Sequence, residues 1–551
     1  MPKTALLRAV AQWDSKSLAW IAFVSAIAFC VAQSSGGIQT YLYTLGSNEF
    51  NADRFNGITA ERLVAIITAF ILCGTYVIWL LRCHGFSLPS HEFSKDLSKD
   101  LSSELSKDLS SELSKDLSND LSNESFSGLS GKRVQMGVPT RIPAMFKVVL
   151  PFLAIAFITY PLSTDVYMYL KYGWMAINGT NPYLVGPLNF PSPLMPLIYW
   201  YQTSTYGPGS LLVFMASAIA VPVNILFSVY LFKVFCLLFH MANAALIWRL
   251  LTPFQNRNLI AMAYLINPVL LIAHVADAHL DVFLATTTIL LIGCLYYRKF
   301  VGAVLAVVGG ILTKTLPVVW LPLVLAFLVR QQRWKALAIA TLISAGIVLL
   351  LSLTLLPGLD AWTGLVNPGV SGLTARSIHH FINLLLVYTT DLTEMAWESL
   401  TQRTTQISYF GFIGFYAWMM LRPFLKSNYS EMNLVVDLGW VTVALFMFAT
   451  PWLMPWYPSL LLAIAFMSFN APGLLLTSLT FGICSTIIAG PASGKTFVSL
   501  FASLLTLGPA MLTILFRNQL ASWVPPLLQP MRSHPSPKLL PVEKSELKEL
   551  I

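Results

Sequence analysis

The chain contains a long succession of apolar runs, and this feature restricts its fold more than any other. A helix needs about 20 mainly apolar residues to cross the hydrocarbon core of a bilayer. Runs of this kind, some of them short, lie at 17–33, 62–82, 145–162, 224–250, 258–275, 279–297, 300–314, 315–330, 335–356, 406–424, 434–450, 455–470, 472–490 and 497–516. Only 11% of the 551 residues are charged, against roughly 25% in soluble domains. The sequence therefore predicts an all-α polytopic membrane protein with about 14 transmembrane helices.

Basic residues predict which helix ends face the cytoplasm. Short cytoplasmic loops are enriched in Lys and Arg. Such residues precede the first run, follow the second and mark later turns: Lys3, Arg8, Lys16, Lys132, Arg133, Arg298, Lys299, Arg330, Arg333, Lys335, Arg422 and Lys426. This distribution predicts cytoplasmic termini and puts 34–61, 163–208, 358–405 and 490–496 on the opposite side of the membrane.

The net charge of +9 favours membrane lipids as partners and argues against nucleic acid. Much of the excess positive charge lies in the predicted cytoplasmic turns and after Phe516, where anionic lipid headgroups are the nearer partner. The six cysteines lie in or beside apolar runs without CxxC spacing. They therefore predict neither a disulfide framework nor a zinc site.

Composition divides the chain into four parts. Residues 94–124 repeat with a period of four, and each Leu of the repeat advances about 40° around a helix, so no lasting apolar face forms. We therefore predict an N-terminal two-span appendage at 1–84, a cytoplasmic low-complexity linker at 85–139, a transmembrane body at 140–516 and a cytoplasmic basic tail at 517–551. The stretch "GPASGKT" at 490–496 has three residues between its glycines where a phosphate-binding loop has four, which argues against an NTPase.

The stretch "STDVYMYLKYGWMAINGTNPY" at 163–183 is the first candidate for chemistry. Asp165, Tyr169 and Tyr172 have helical spacing, which predicts that they share one face of a short amphipathic helix at the outer membrane surface. The turn-rich "NGTNPY" and "STYGPG" predict a long ordered loop, and such loops commonly carry function. Asp165 is therefore a candidate catalytic carboxylate, with a helix cap or a solvated charge as the alternative.

The stretch "INPVLLIAHVADAHLDVF" at 266–283 is the second candidate. It places His274, Asp277, His279 and Asp281 at the predicted outer junction of two spans. Ionisable groups near the membrane are costly unless they pair or line a cavity, so the cluster predicts a polar site. Metal binding is an alternative that these residue types allow, but their spacing matches no zinc pattern.

Three shorter motifs supply further candidates on the same side. Lys314 in "LTKTLPVVWLP" follows an apolar run, where it either extends to the interface or binds a phosphate. The loop motif "TARSIHH" contributes Arg376 and His379. The motif "ATPWLMPWYPSLL" contributes Trp456 and Tyr457, for which an interfacial aromatic belt is the alternative.

Taken in this order, the motifs resemble those of the GT-C superfamily of membrane glycosyltransferases. Within it they are similar to bacterial polyprenol-phosphate-mannose-dependent mannosyltransferases. The resemblance rests on the outer-loop Asp with "NPY" and "YGP", then "NP" and "HLD", then "TKTLP" and "PWYP", and it covers 145–470. It implies that 140–516 is a GT-C-like transmembrane catalytic body with a functional first outer loop.

The resemblance also implies the reaction. A hexose, mannose by this similarity, passes from a polyprenyl-phosphate donor to a lipid or glycan acceptor on the non-cytoplasmic face. Asp165 is then the catalytic residue, because a carboxylate can take the proton of the attacking hydroxyl. Lys314, Arg376 and His379 are candidates to stabilise the leaving phosphate. The "HxD" residues His279 and Asp281 would position substrate, with a structural His–Asp hydrogen bond as the alternative.

The first outer loop has one evident carboxylate, where some relatives carry an acidic pair that holds a metal. This departure predicts an inverting single displacement without a cofactor, and leaves a divalent metal as the alternative. The predicted substrate-binding residues are Tyr169, His274, His279, Asp281, Lys314, Arg376, His379, Trp456 and Tyr457.

Two other functions and one question of partners stay open on the sequence. Polytopic proteins with broken helices often move solutes, so a transporter of solutes or lipid-linked sugars is one alternative. An inactive assembly factor with the same fold is the other. The predicted location is a multi-pass position in a bacterial plasma membrane, with the endoplasmic reticulum as alternative. The two N-terminal spans have no counterpart in the family pattern, and whether they dock a protein partner is open.

Overall fold

Helices form nearly all of the regular structure in the computed structural model, which describes residues 15–47, 59–83, 141–198, 200–254, 256–366, 373–390, 393–468, 471–487 and 497–521. In chain order they are α1 (Ser15–Ser47), α2 (Ala60–Cys83), α3 (Ile142–Ile158), α4 (Asp165–Ile177), α5 (Pro208–Ala218), α6 (Ile225–Leu250), α7 (Arg257–Leu265), α8 (Pro268–Ala276), α9 (Asp281–Tyr296), α10 (Phe300–Ile311), α11 (Trp320–Arg330), α12 (Trp334–Thr354), α13 (Gly358–Val366), α14 (Ile378–Thr389), α15 (Glu394–Leu425), α16 (Glu431–Ala444), α17 (Ser459–Met467), α18 (Pro472–Ile487), α19 (Phe497–Leu515) and α20 (Arg517–Ala521). The described residues contain no β-strand, only isolated bridges.

The length and hydropathy of these helices fit a multi-pass membrane protein. In the described ranges, six helices are long and apolar enough to cross a bilayer, or seven if the bent pair α7 and α8 counts as one span. The six are α1, α2, α6, α12, α16 with its π-helical continuation, and α19. Shorter apolar helices, among them α3, α9 and α10, account for other predicted runs. The all-α polytopic fold is confirmed, and the figure of about 14 crossings stays a prediction.

Several helices do not begin and end where the predicted apolar runs do. Helix α1 continues beyond residue 33 to Ser47, and the 358–405 segment contains α13, α14 and the start of α15. The 258–275 run is two helices that meet at 41°. The break follows from "NP": Asn267 accepts hydrogen bonds from the backbone N–H groups of Val269 and Leu270, and Pro268 cannot donate one.

Residues 163–208 pack into a hydrophobic cluster together with helices that follow them in the chain. Tyr169, Tyr172, Phe214 and Phe232 are almost fully buried there, in a cluster that also includes Val282. Helix α4 was predicted to be an amphipathic helix at the membrane surface, but this packing leaves α4 without an exposed polar face. Its residues from 166 to 173 are all buried, so the helix lies inside the protein.

Lys171 binds the later part of the 163–208 segment to helix α4. Its Nζ is hydrogen-bonded to the carbonyl oxygen of Phe190, to Ser192 Oγ at 2.7 Å and to Met195 Sδ at 3.3 Å. Burial lowers the pKa of Lys171 to about 8. The segment at 187–197 is thereby held against the helix that begins with Asp165.

A buried lysine joins helices α3, α6 and α8. Lys233 of α6 is fully buried, and its Nζ lies within 2.6–3.3 Å of the carbonyl oxygens of Ala156, Thr159, Val275 and Ala276. These carbonyls are at the C-terminal ends of α3 and α8, where helices leave acceptors without backbone partners. A cation there also interacts favourably with both helix dipoles.

We expect Lys233→Met to lower the stability of the protein substantially. The substitution keeps an unbranched side chain but leaves the buried carbonyls at two helix ends without their donor, which costs on the order of 3 kcal/mol. Thermal unfolding in nanodiscs measures the effect. Lys335→Met, at an exposed position, is the matched control, and equal unfolding temperatures for the two variants would contradict the expectation.

Candidate active site

Residues from the predicted motifs meet around one cavity of about 300 Å³. Its wall includes five of the predicted site residues: Asp165, Tyr169, Lys314, Trp456 and Tyr457. Residues that were not predicted to bind substrate complete much of the wall: Tyr172, Trp200, Tyr206, Thr450, Trp452 and Met454. The cavity therefore combines one carboxylate and one ammonium group with a largely aromatic lining.

Asp165 is the first residue of helix α4, and its side chain lines the cavity. The Tyr169 hydroxyl donates to Asp165 Oδ2 at 3.5 Å, one helical turn further on. The carboxylate is 17% exposed. The preceding Thr164 is the N-cap residue, so Asp165 is not the cap of its own helix. The helix N-terminus favours the ionised carboxylate at this position.

His279 lies directly behind the cavity wall. Its ring stacks on Trp456 with the centroids 3.6 Å apart, and its Nδ1 is 3.4 Å from the Tyr169 hydroxyl and 3.8 Å from Asp165 Oδ2. Burial, together with the charges of Lys314 and His274, holds the pKa of His279 well below its usual range. A neutral imidazole therefore orients both the Asp165–Tyr169 pair and the Trp456 ring.

Asp281 holds Lys314 at the edge of the cavity. Lys314 Nζ lies 3.0 Å and 3.2 Å from the two carboxylate oxygens of Asp281 and 4.4 Å from the centre of the Tyr457 ring. Burial is the largest single influence and acts to lower the pKa of Lys314, but the charge and hydrogen bond of Asp281, together with Tyr457 and Asp165, outweigh it, and the pKa is raised. Lys314 thus presents a fixed positive charge, and Asp281 does not itself line the cavity.

Two glycines allow the "YGPG" turn to lie against the chain beside Lys314. The N–H of Gly207 donates to the Thr313 carbonyl at 3.0 Å, and the N–H of Gly209 donates to the Leu312 carbonyl at 2.7 Å. A Cβ on Gly207 would lie 2.1 Å from the Leu312 oxygen, which no side chain can tolerate. The absence of a side chain at Gly207 therefore fixes how Tyr206 and Lys314 meet.

The segment that carries Arg376 pairs with another part of the cavity wall. The N–H of Ala375 donates to the Pro451 carbonyl at 3.0 Å, and the N–H of Leu453 donates to the Ala375 carbonyl at 2.9 Å. These bonds hold Trp452, which lines the cavity. Arg376 itself is buried beside Trp452, with its pKa lowered to about 10 by burial, and does not line the cavity.

Two predicted histidines lie outside the cavity. His274 is fully buried, and its Nε2 is 3.2 Å from Ser459 Oγ. His379 is buried in α14 with its ring 5.7 Å from that of Tyr409. Neither residue belongs to the cavity wall.

The four ionisable residues of the 266–283 stretch therefore make four separate contacts and do not form one common site. His274 contacts Ser459, Asp277 contacts Gln33, His279 faces Asp165, and Asp281 binds Lys314. The alternative of a His279–Asp281 hydrogen bond is not what the structure contains. Within the described ranges, no group of three or more His, Cys, Asp or Glu side chains could hold a metal ion.

The comparison with protein families matches the part of the chain that builds most of this site. Residues 131–330 match the model of the family alpha-(1->6)-mannopyranosyltransferase, N-terminal domain. This part of the chain is therefore similar to the N-terminal domain of that mannosyltransferase family. Comparisons with curated proteins and with solved structures return no match.

The mannosyltransferase match confirms the family resemblance that the motif order indicated. The matched residues include Asp165, Tyr169, Tyr206, His279 and Lys314. The wall formed by 450–457 lies C-terminal to it. The motif succession in the sequence had pointed to both parts.

We expect Gly207→Ala to disturb this site more than the same substitution at a glycine that has open space around it. The new methyl group would displace the Leu312 backbone and hence Lys314, so we expect a stability loss of about 2 kcal/mol. Gly414→Ala is the matched control, because nothing lies within 4 Å of a Cβ there. Thermal unfolding measures both, and an unchanged melting temperature for Gly207→Ala would contradict the close approach.

Proposed function

We propose that the protein transfers a mannosyl residue from a polyprenyl-phosphate donor to a lipid or glycan acceptor. The coarse activity, that of a mannosyltransferase, has the support of the family domain at residues 131–330. The observation that supports the finer proposal is the arrangement of Asp165 and Lys314 in one aromatic cavity. This arrangement offers one proton acceptor and one fixed cation.

Asp165 acts as the general base in the proposed reaction. The acceptor hydroxyl attacks the anomeric carbon of the donor and passes its proton to the Asp165 carboxylate. A new bond forms between the acceptor oxygen and the anomeric carbon, and the bond from that carbon to the phosphate oxygen breaks. Attack on the face opposite the leaving group inverts the anomeric configuration.

Lys314 receives the negative charge that develops on the leaving polyprenyl phosphate. A preorganised donor in a partly buried site stabilises such a charge without rearrangement. Asp281 keeps the ammonium group in place through its two contacts of 3.0 Å and 3.2 Å. The aromatic rings of Trp452, Trp456 and Tyr457 offer apolar surfaces for the sugar ring.

The course of the helices supports a site on the non-cytoplasmic face. Helix α9 begins with Asp281 and ends just before Arg298, and α10 returns from Phe300 towards Lys314. Helix α11 then leads away from the site to Arg330. The cavity and the basic turns thus lie at opposite ends of these helices. Because basic turns favour the cytoplasm, the cavity belongs on the other side.

We expect Asp165→Asn to lower the rate of transfer by about 10²- to 10⁴-fold while donor binding persists, because the amide keeps the shape and removes the base. The assay follows radiolabelled polyprenyl-phosphate-mannose in nanodiscs, with a membrane lipid extract as acceptor source. Asp360→Asn, at an exposed carboxylate, is the matched control. Equal turnover by wild type and Asp165→Asn would remove Asp165 from the reaction.

The same labelled donor, supplied to the protein in sealed vesicles instead of nanodiscs, decides between transfer and the two alternative functions. An active transferase forms a labelled product in wild type. Movement of labelled donor across sealed vesicles without product would favour a transporter. Neither product nor movement, with any hexose donor, would favour an inactive assembly factor.

We expect Lys314→Met to lower turnover by about 10²- to 10³-fold, because it removes the donor that meets the leaving phosphate. It also leaves Asp281 buried without its cation. Asp281→Leu combined with Lys314→Met removes the pair together and should regain stability but no activity. A double variant that turns over like wild type would show that the ion pair is structural only.

A further inference from the structure

Helix α1 lies outside the matched family region, yet it contacts the two chain segments that precede Asp165 and His279. It packs along α3, where the Phe23 and Phe152 rings are 6.3 Å apart. Its polar residues from 33 to 37 continue the helix beyond the predicted span and face residues 160–162. Those residues lead directly into Asp165.

Gln33 and Ser34 make directed hydrogen bonds to this segment. Gln33 is buried, and its amide donates to Asp277 Oδ1 at 2.9 Å and to the Tyr160 carbonyl at 3.3 Å. The N–H of Tyr160 donates to Ser34 Oγ at 2.9 Å. Both backbone groups of Tyr160 therefore bond to helix α1.

One carboxylate oxygen of Asp277 connects the segment before Asp165 with the segment before His279. Its Oδ1 accepts the Gln33 amide and also the N–H of Leu162 at 3.0 Å. Leu162 lies three residues before Asp165, and Asp277 lies two residues before His279. A single carboxylate oxygen therefore ties α1 to the backbone leading to the proposed base and to the backbone leading to its histidine partner.

Gly37 brings the two backbones into contact at a second point. A Cβ at this position would lie 2.8 Å from the Pro161 carbonyl oxygen and 2.9 Å from the Tyr160 ring. One turn further on, the Tyr41 ring packs 6.1 Å from those of Tyr160 and Tyr167. The adjacent Gly36 faces open space. Small size is thus required at Gly37 and not at Gly36.

We propose that helix α1 is a positioning element of the active site, which sets the place of Asp165 relative to His279 by holding residues 160–162 against Asp277. Gln33 and Gly37 are the positioning residues. The inference rests on the proposed transferase function and gives the N-terminal helices a role other than membrane anchoring or the docking of a partner protein.

The proposed transfer requires that the distance between Asp165 and His279 be controlled. Asp165 Oδ2 and His279 Nδ1 are 3.8 Å apart, although the two residues are far apart in the chain. A misplacement of about 1 Å can lower a catalysed rate by 10²-fold. Helix α1 acts on the short connections that precede both residues, and so fixes their separation without touching substrate.

The test compares the neighbouring glycines in the full chain. Gly37→Ala and Gly36→Ala add the same methyl group to one helix, so their effect on helix propensity is the same. We expect Gly37→Ala to lower kcat about 10-fold or more with the KM for donor changed less than 2-fold, since cavity contacts persist. Gly36→Ala should retain the wild-type kcat. Equal kcat for the two variants would overturn the proposal.

A second pair keeps the test decisive if Gly37→Ala fails to fold. Gln33→Met removes the bonds to Asp277 and Tyr160 while keeping the side-chain length, and the exposed Gln39→Met is its control. We expect kcat to fall only for Gln33→Met, again with KM preserved. A fall in melting temperature with unchanged kcat in Gln33→Met would assign α1 to stability alone and overturn the proposal.

Hydrogen exchange separates this inference from the proposed function. The Leu162 amide should exchange faster in Gln33→Met than in Gln39→Met, because Asp277 loses the partner that holds it. Faster exchange in a protein whose wild type transfers no mannose would overturn the proposed function but support the positioning contact. Unchanged exchange, together with wild-type kcat, would overturn the positioning role while leaving the transferase function standing.

Discussion

The contact between Lys233 and the ends of two helices is the constraint on which the site depends. The carbonyls that surround its Nζ belong to the last turns of α3 and α8. The chain leaving α3 reaches Asp165, and the chain leaving α8 reaches His279 and Asp281. One buried amino group therefore sets the starting points of both connections. A buried polar group of this kind stabilises only when its partners are all in place, which restricts the helix ends to one arrangement.

From these starting points, short connections finish the arrangement. Ala278 adopts a positive φ of 55°, so the chain turns sharply between Asp277 and His279. Asp277 points towards α1, while His279 points towards the cavity wall. Helices α9 and α10 then run in opposite directions and return Lys314 to Asp281. The site is thus assembled from helix ends, with its precision supplied by side-chain hydrogen bonds and backbone contacts.

The fold class and part of the candidate site could be predicted from the sequence. Run length and hydropathy were sufficient for an all-α membrane fold, and the motif order brought Asp165, Lys314 and Trp456 into one prediction. The pairing of these residues could not be predicted, because helix periodicity describes neighbours along one helix and not contacts between distant helices. Asp281 lies two residues after His279 in the motif but pairs with Lys314. Gln33 was interpreted only as the last residue of an apolar run. Its role could not be predicted because its hydrogen-bond partner Asp277 lies 244 positions away in the chain.

The ion pair at the cavity also bears on how a product leaves. Once Asp165 has released the proton it took from the acceptor, Asp165 and Asp281 carry two negative charges near the single ammonium group of Lys314, and His279 is neutral. A sugar phosphodiester carries one negative charge, whereas the phosphomonoester left after transfer carries about −1.5 to −2 at neutral pH. Because Lys314 already shares its charge with Asp281, the monoester meets less compensation per unit of its own charge than the diester does. In the proposed reaction this imbalance favours departure of the spent lipid carrier, so the pair that assists bond cleavage also limits product inhibition.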